Sequence, residues 1–561
     1  MFRTKNTRMG TAARVTPGGA AWRQGLALVA SALRDARTRG MRRKARTHLV
    51  MVVAAAAMCA CAATGDAIAR TTSRPNWQNP YLAPRENNNI HIDSYASDTY
   101  TIPGPTGGTV AETTRVNTIR YPDGTIIGLG ECATQTYDAR GHLISFCSGS
   151  KLGPHPGKVL VLLDARLKAL AARVIPVPDG QGVGSPDQNH TAVWRDFSGG
   201  YFYLNQHDHP VIARPDNHVV EYTPNIGTER APGYFAPVPG RDFDVSRFIT
   251  RSGDKLYAVM PDKDGNIWFT THGGVIGTIT LHATADCSQG CHAMQLPDEI
   301  TKSMSVDEGD SRAGPSGVYT PTTSRLYRFE AGPDGRIHIG WSAPYVQGTS
   351  QKPGQIALGT GTTPTVFRMA GHRYVTINDN ATPMHINIYR AEDHIGNQPR
   401  LFAQVAPFGA RSKVADENSL IAFRTAAGAA IIAENNWGYR TPLAASFHNT
   451  TEPGLARVDV TPGGAKVASV NNHISVPSVV SHVDTTTGLV YTYEKRIDGW
   501  WYLTGLDMND LNHVVFAVRV GKSTPSQPLA YNNNYAELSV GNGDGNVYVG
   551  AIGGLVKIAV H

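Results

Sequence analysis

Two segments of this chain, 280 residues apart, carry the same pattern without an insertion. Residues 264–276 read DGNIWFTTHGGVI, and residues 544–556 read DGNVYVGAIGGLV. Each copy predicts a turn, a β-branched and aromatic strand, a glycine turn and a second strand. A unit of this kind, repeated around a ring, is the sequence mark of a β-propeller. The sequence therefore predicts an all-β fold of repeated blades.

Strand–turn–strand units recur from about residue 127 to the end, and helical periodicity is scarce. The unit around residues 303–341 is the least regular, so we predict eight four-stranded blades, with seven as the alternative. The last unit lacks one strand. Residues 115–121 are placed to supply it, which closes the ring and leaves no exposed edge.

The sequence before the repeated units has a different character. A basic stretch at 41–46, an apolar run at 49–63 and the small residues 67–69 together predict a signal peptide. We therefore expect residues 1–69 to be a leader with its functional start at Met41, and a periplasmic or secreted protein with no transmembrane segment in the mature chain. Residues 70–112, rich in Pro, Asn, Thr and Ser, predict an extended arm over the surface. Residues 113–561 then form a single propeller domain.

The basic isoelectric point of about 9.0 comes from the leader. Residues 1–69 hold 12 of the 52 Lys and Arg residues but two of the 45 Asp and Glu residues. The remainder has 40 basic and 43 acidic residues, a formal charge of −3. The composition therefore gives no argument for a nucleic-acid partner.

Four of the six cysteines follow the leader, in two local pairs that suit an oxidising compartment. Cys132 and Cys147 flank the turn at 138–141 symmetrically, so a hairpin brings them within disulfide reach. Cys287 and Cys291 predict a small disulfide-closed loop. Because His292 follows, haem attachment is the alternative, although the spacing is one residue too long.

Polar residues recur at equivalent positions of the predicted blades. In a propeller, the connection into each innermost strand and the turn after the second strand lie at one mouth of the central channel. The residues at these positions are Thr362-Thr363, Glu417-Asn418, His473 and Asn533-Asn534 before the innermost strands, and Thr271-His272, Asp379-Asn380 and Glu434-Asn435-Asn436 after the second strands. We therefore expect them to converge on one binding site.

The residue types define three roles at that mouth. Carboxylate and carboxamide oxygens are the ligands that Ca²⁺ or Mg²⁺ prefers, so the predicted metal ligands are Glu417, Glu434, Asn436, Asp379 and Asn534. The predicted contacts to a small polar molecule are Asn380, Asn418, Asn435, His473 and Asn533. Glu434 and His272 are the candidates for moving a proton. The alternative is that the Asn and Asp side chains bond nearby backbone in turns.

Three resemblances accompany these patterns. The text DGNIWFTTHGGVIG at 264–277 resembles a repeat of virginiamycin B lyase and, more broadly, the gluconolactonase and SMP-30 type of propeller. That resemblance implies a divalent metal over the channel, used for lactone hydrolysis or ring-opening elimination. WYLTGLD at 501–507 resembles the blade-docking motif of quinoprotein dehydrogenases, which are eight-bladed and exported. Phrases such as GTGTTPT and AENNWGY resemble exported bacterial propellers.

Three functions follow as hypotheses. The first is a divalent-metal-dependent, lactonase-like hydrolase or lyase that acts on a small polar ligand at the channel mouth. The second is a non-catalytic propeller that binds a ligand or a protein. The third is a quinoprotein-like dehydrogenase. A metal over the channel favours the first, and a broad apolar face favours a protein partner.

Overall fold

The computed structural model describes residues 79–149, 157–177, 200–309, 315–447 and 451–561. The predicted leader lies outside these residues. Two strands precede the first blade along the chain, β1 at Thr99–Tyr100 and β2 at Ala111–Val116. The described strands form eight sheets, each with four or five members.

The first four blades follow one another along the chain. Blade 1 consists of β3 Thr118–Arg120, β4 Ile126–Tyr137, β5 Leu143–Gly149, β6 Gly157–Leu163 and β7 Ala169–Pro176. Blade 2 consists of β8 Tyr203–Leu204, β9 Pro210–Ala213, β10 His218–Asn225 and β11 Tyr234–Asp244. Blade 3 consists of β12 Leu256–Pro261, β13 Ile267–Thr271, β14 Val275–Ile279 and β15 Cys291–Gln295. Blade 4 consists of β16 Ser305–Val306, β17 Val318–Pro321, β18 Arg325–Ala331 and β19 Ile337–Pro344.

The other four blades complete the ring. Blade 5 consists of β20 Thr365–Met369, β21 His372–Asn378, β22 Ile386–Arg390 and β23 Leu401–Val405. Blade 6 consists of β24 Ile421–Thr425, β25 Gly428–Glu434, β26 Leu455–Thr461 and β27 Gly464–Asn471, with helix α1 Pro442–Phe447 between β25 and β26. Blade 7 consists of β28 His482–Asp484, β29 Leu489–Lys495, β30 Trp500–Asp507 and β31 Val514–Lys522. Blade 8 consists of β32 Leu538–Ser539, β33 Asn546–Ala551 and β34 Gly554–Val560, and β2 pairs with β34 as its fourth strand.

The predicted eight-bladed propeller is confirmed, including the irregular fourth blade, which has all four strands. Closure by an N-terminal strand is also confirmed, but the strand begins four residues earlier than predicted. Ala111 pairs with Val560 and Val116 with Leu555. Residues 118–120 instead pair antiparallel with 126–128 of blade 1, because the chain changes blade at Asn117.

The turn between the two innermost strands makes the same kind of contact in blades 3 and 8, although the aspartate of blade 3 lies two residues earlier in the repeat than that of blade 8. An aspartate in the turn between the two innermost strands holds the aromatic side chain of the second strand. Asp262 Oδ2 accepts from the Trp268 indole at 2.9 Å, and Asp544 Oδ2 accepts from the Tyr548 hydroxyl at 2.6 Å. In both blades the predicted turn is thus hydrogen-bonded to the strand that follows it.

Both predicted disulfides are present, Cys132–Cys147 and Cys287–Cys291. Cys132 lies opposite Cys147 in the β4–β5 hairpin, as the symmetry about the turn predicted. Both sulfur-bearing side chains are fully buried.

Removal of the first disulfide is expected to have a moderate effect. We expect the double variant Cys132→Ala, Cys147→Ala to lose about 2–3 kcal/mol of unfolding free energy, because the bridge closes a short loop. Urea unfolding without reductant measures it. The same loss in the wild-type protein after mild reduction is the matched control, and an unchanged midpoint in the double variant would contradict the assignment.

The sequence predicted that the arm before blade 1 runs over the surface, but the structure buries it. Most residues between Asn79 and Tyr100 are buried, and Ile92, Asp98 and Tyr100 are completely so. The segment runs antiparallel to β8 between Leu82 and Asn89 and returns parallel to β28 at β1. It therefore lies inside the ring of blades, and residues 94–98 bond the innermost strands of blades 4 to 7 one after another.

The inserted arm makes hydrogen bonds to all eight blades. Its backbone carbonyls accept from amides of innermost strands in five of them: Leu204, Val306, Val366, Ala422 and Val483. Its side chains reach the other three: Arg85 to Tyr137 O, Asn79 to Pro261 O and Asn87 to Gly541 O. The arm thereby satisfies backbone groups that a bare channel would expose.

No helix among the described residues is long and apolar enough to cross a membrane.

Candidate functional site

A small cavity with polar and apolar walls lies at the mouth of the channel, and Ile90 and His91 of the arm line one side of it. Most of its walls are residues that lead into the innermost strands, the positions at which the sequence predicted convergence. Its lining consists of Ile90, His91, Ala133, Gly200, Tyr201, Lys302, Ile356, Gly361, Thr363, Glu417, Asn418, Ser419, Val480 and Tyr535.

A long connection between blades 4 and 5, residues 345–364, contributes Ile356, Gly361 and Thr363 to the cavity wall, and residues 435–447 within blade 6 pack against this connection. They are joined by the bond from Gly438 N to Pro353 O at 2.8 Å. The Tyr439 and Tyr535 rings pack edge to face with centroids 5.3 Å apart, and Tyr535 donates to Gly354 O. The cavity therefore has a polar wall, a tyrosine roof and a floor built from the arm.

A buried ion pair forms one side of the cavity. Lys302 Nζ donates to Glu417 Oε1, and their side chains are 3% and 0% exposed. The backbone amide of Ile356 donates to the same oxygen at 2.9 Å. Burial raises the pKa of Glu417 to about 7, although Lys302 opposes that rise. Within the described part of the chain, Glu417 Oε2 has no hydrogen-bond partner.

The neighbouring residue links the cavity to a second buried carboxylate. Asn418 Nδ2 donates to Glu434 Oε2 and to Val479 O, each at 2.6 Å. Burial raises the pKa of Glu434 to about 7, while hydrogen bonds from Ser481, Asn418 and Asn436 oppose that rise. Among the described residues, neither Asn418 Oδ1 nor Glu434 Oε1 has a hydrogen-bond partner.

A third carboxyl group, Glu131, lies near the roof. Asn534 Nδ2 donates to Glu131 Oε2 at 3.2 Å, and the Asn534 carbonyl accepts from the Tyr439 hydroxyl at 3.1 Å. Burial raises the pKa of Glu131 to about 8, and the Asn534 bond opposes this only in part. Burial therefore raises the pKa of all three carboxyl groups, Glu131, Glu417 and Glu434.

The floor contains a hydrogen-bonded group of three side chains. His91 Nδ1 lies 3.2 Å from Asp98 Oδ1 and 2.9 Å from Ser419 Oγ, and Ser419 Oγ donates to Asp98 Oδ2. Burial would raise the pKa of Asp98, but His91 and His482 beside it hold that pKa below its ordinary value. The opposite ring nitrogen, His91 Nε2, has no hydrogen-bond partner among the described residues.

The other predicted residues with Asn and Asp side chains hold connections in place. Asp379 accepts from His385 at 3.0 Å and from the amides of Ala381 and His385. The carboxamides that bond backbone groups are Asn380 to Gln347 and Ser350, Asn435 to Ala415, Trp437 and Lys413, Asn436 to Glu417 and Val476, and Asn533 to Ala536 and Gly550. The alternative stated from the sequence, backbone bonding in turns, describes these side chains.

The two predicted histidines lie away from the cavity wall. His272 Nδ1 lies 2.8 Å from Ile300 O, and its ring stacks on Tyr257 at 5.9 Å. Tyr257 in turn contacts Tyr201, whose ring stacks on His91 at 6.1 Å. Two tyrosines therefore separate His272 from the cavity. His473 is exposed, and its backbone amide donates to Asn471.

The predicted metal site stays a prediction, and three of its carboxylates have side-chain partners in the structure. Glu417 is held by Lys302, Glu434 by Asn418, and Asp379 by His385. Over the described ranges, no group of three or more His, Cys, Asp or Glu side chains is placed to hold a metal ion. A cation beside the Lys302 ammonium would also be repelled.

The sequence argument missed most of the cavity lining, including the charged Lys302 and the arm residue His91, and it also missed Asp98, which bonds His91. Lys302 precedes the innermost strand of the irregular fourth blade. It therefore holds the position before an innermost strand that identified the other predicted residues, and that position could have identified it. His91 and Asp98 belong to the arm, where no strand pattern points to the channel. Glu417, Asn418 and Thr363 were found because propeller topology alone sends them to this mouth.

Comparisons with known proteins do not show a family for this chain. No protein-family model matches the chain. An uncharacterized protein of Archaeoglobus fulgidus is 24% identical over 336 residues, which are 55% of this chain and 61% of that relative. The chain therefore spans less than two thirds of the length of the curated relative it matches.

Solved propellers resemble the chain at low identity. Quinohemoprotein alcohol dehydrogenase from Comamonas testosteroni aligns over 85% of this chain and 81% of its own, with a TM-score of 0.49 and 10% identity. The Dos1 propeller gives a TM-score of 0.41 and 10% identity over 81% of this chain and 96% of its own. A quinoprotein dehydrogenase is thus among the structural neighbours, while the gluconolactonase-like type stays a prediction. By its own eight sheets, the chain is an eight-bladed β-propeller.

Proposed function

We propose that this protein is exported and binds a small polyhydroxy compound in the cavity at the channel mouth. The observation that carries the proposal is a pair of buried acceptors on one wall, Glu417 Oε2 and Asn418 Oδ1, which lack partners among the described residues. A buried polar group without a partner is destabilising by about 1–3 kcal/mol. A ligand that donates hydrogen bonds removes this penalty.

The charge of the wall selects among donor-bearing ligands. Ammonium compounds are disfavoured because Lys302 already places a cation in the cavity. Hydroxyl groups donate without adding charge, and the faces of Tyr201 and Tyr535 offer apolar surface for the carbon skeleton. The two disulfides are typical of an oxidising compartment and support export.

Calorimetric titration with glycerol, D-glucose, D-glucitol and D-gluconate tests the proposal. We expect at least one of them to bind wild-type protein, and Glu417→Gln to weaken that binding about tenfold or more. The reason is that the variant replaces an acceptor with a donor, and a lost buried hydrogen bond is worth about 1–3 kcal/mol.

Glu392→Gln is the matched control for that titration. Glu392 is a buried carboxylate that accepts from His372 and from Arg373 N, and it does not line the cavity. We expect this variant to bind as wild type does. Absence of binding for all four compounds, or equal loss in both variants, would contradict the proposal.

A further inference from the structure

We propose that residues 347–359 form a lid, which opens to admit a ligand to the cavity at the channel mouth. The inference rests on the proposed function, because it describes how a polyhydroxy compound enters that cavity. In the structure the cavity has room for about one water molecule, and Val480 on its wall is 3% exposed. A polyhydroxy compound therefore enters only when part of the wall moves.

The lid is a loop whose two ends are joined. Gly359 N donates to Gln347 O at 3.0 Å, and residues 345–364 contain no strand or helix. Gly348 and Gly359, at the two ends, have φ values of 75° and 86°, a conformation that glycine adopts without strain. A compact surface loop with joined ends is an Ω-loop, a class that is frequently functional.

The lid is fastened to the rest of the protein mainly by single hydrogen bonds. These bonds are Gly438 N to Pro353 O, Asn380 Nδ2 to Ser350 O, Lys352 Nζ to Ala381 O and the Tyr535 hydroxyl to Gly354 O. Water replaces such partners when a loop moves, so each bond adds little net stability to the closed form. The two largest apolar side chains of the lid, Ile356 and Leu358, are only partly buried. A segment with few buried apolar contacts opens locally without unfolding the blades.

Movement of the lid changes the wall beside Glu417. Ile356 lines the cavity, and its amide donates to Glu417 Oε1 at 2.9 Å. When the lid moves outward, Ile356 leaves the wall, while Lys302 continues to hold the same oxygen. Opening therefore enlarges the cavity on the side of the carboxylate that the proposed function uses.

Thiol labelling measures this opening without any ligand. Val480 lies on a wall outside the lid, so full-length protein with Val480→Cys is treated with iodoacetamide, and labelling is read by mass spectrometry on the peptide that carries position 480. Lys352→Met is expected to accelerate this labelling about three- to tenfold, because the closed form loses one hydrogen bond. Ala133→Cys, on another wall, is the second probe where Val480→Cys does not fold.

Two matched controls separate lid opening from general loosening. Lys557→Met removes the same kind of bond, from Lys557 Nζ to Ala165 O, and is expected to leave labelling at position 480 unchanged. Val458→Cys places the thiol in a blade core, where Lys352→Met is expected to have no effect. Equal acceleration at positions 480 and 458, or equal effects of the two lysine variants, would overturn the inference.

The titration described for the proposed function is read separately from the labelling. Binding of one of the four compounds, with labelling at position 480 unaffected by Lys352→Met, would overturn the lid and leave the proposed function intact. The expected labelling, with no binding of any of the four compounds, would overturn the proposed function and leave the opening of residues 347–359 established.

Discussion

Protein expressed from residue 105 is expected not to fold, whereas protein expressed from residue 70 is expected to fold normally. The deletion removes Leu82, Ile90 and Ile92 from the core, each worth about 1.5–3 kcal/mol when fully buried. It also removes hydrogen-bond partners of innermost strands in all eight blades. The apolar loss alone approaches the 5–15 kcal/mol that stabilises a typical protein, by order of magnitude.

Circular dichroism and urea unfolding of both proteins measure this effect. A shorter deletion, starting at residue 79, is the control because it keeps every described part of the arm. A protein starting at residue 105 that unfolds cooperatively with the wild-type midpoint would show that the arm is dispensable, which would contradict its place in the channel.

Stability is expected to fall as the pH rises from 5 to 8. Burial raises the pKa of Glu417 and Glu434 to about 7 and that of Glu131 to about 8, from an unfolded value of 4.5. Between these values the unfolded chain has released protons that the folded chain still holds, so rising pH favours unfolding. Each group contributes about 3 kcal/mol over its window, by order of magnitude.

Groups with the opposite shift act outside this range. Burial would raise the pKa of Glu221, but hydrogen bonds from His209 and Arg241 lower it to about 2. The contribution of Glu221 to the unfolding free energy is therefore lost only in acid. Lys352 and Lys495, with pKa values lowered to about 8 by burial, act above pH 8. They therefore do not mask the predicted trend.

Urea midpoints at pH 5, 6, 7 and 8 measure this dependence. The triple variant Glu131→Gln, Glu417→Gln, Glu434→Gln is expected to show a much flatter profile. A wild-type midpoint that rises with pH, or an identical slope in the triple variant, would contradict the raised pKa values of these carboxyl groups.

The strands could be predicted from the sequence because each blade contains short-range sequence patterns. The Asp-Gly-Asn turn, the alternating aromatic and β-branched residues and the glycine turn act over a few residues, so the eight blades and the Cys132–Cys147 bridge could be predicted. The closing strand was displaced because residues 111–121 contain two short strands that pair with different blades. Nothing local distinguishes them.

The arm was misplaced for a physical reason. Its Asn, Asp and Ser side chains are typical of exposed loops, but here they bond the inner surface of the ring. Ile92, Ala96 and Asp98 have positive φ values of 74°, 52° and 51°, a conformation that such residues rarely adopt alone. Contacts with the surrounding blades impose it. Local sequence could not predict a conformation that the assembled ring enforces, and the cavity floor was missed with it.

The central claim is that the arm lies inside the channel and forms the floor of the cavity. Hydrogen–deuterium exchange of the intact protein, read on peptides that span residues 88–100, tests it most directly. We predict exchange as slow as that of the blade strands, since the segment is buried and its amides donate within it, from Ile92 to Asn89, from Ala96 to Asp93 and from Asp98 to His91. Exchange of these peptides within seconds, as for a surface loop, would contradict the account.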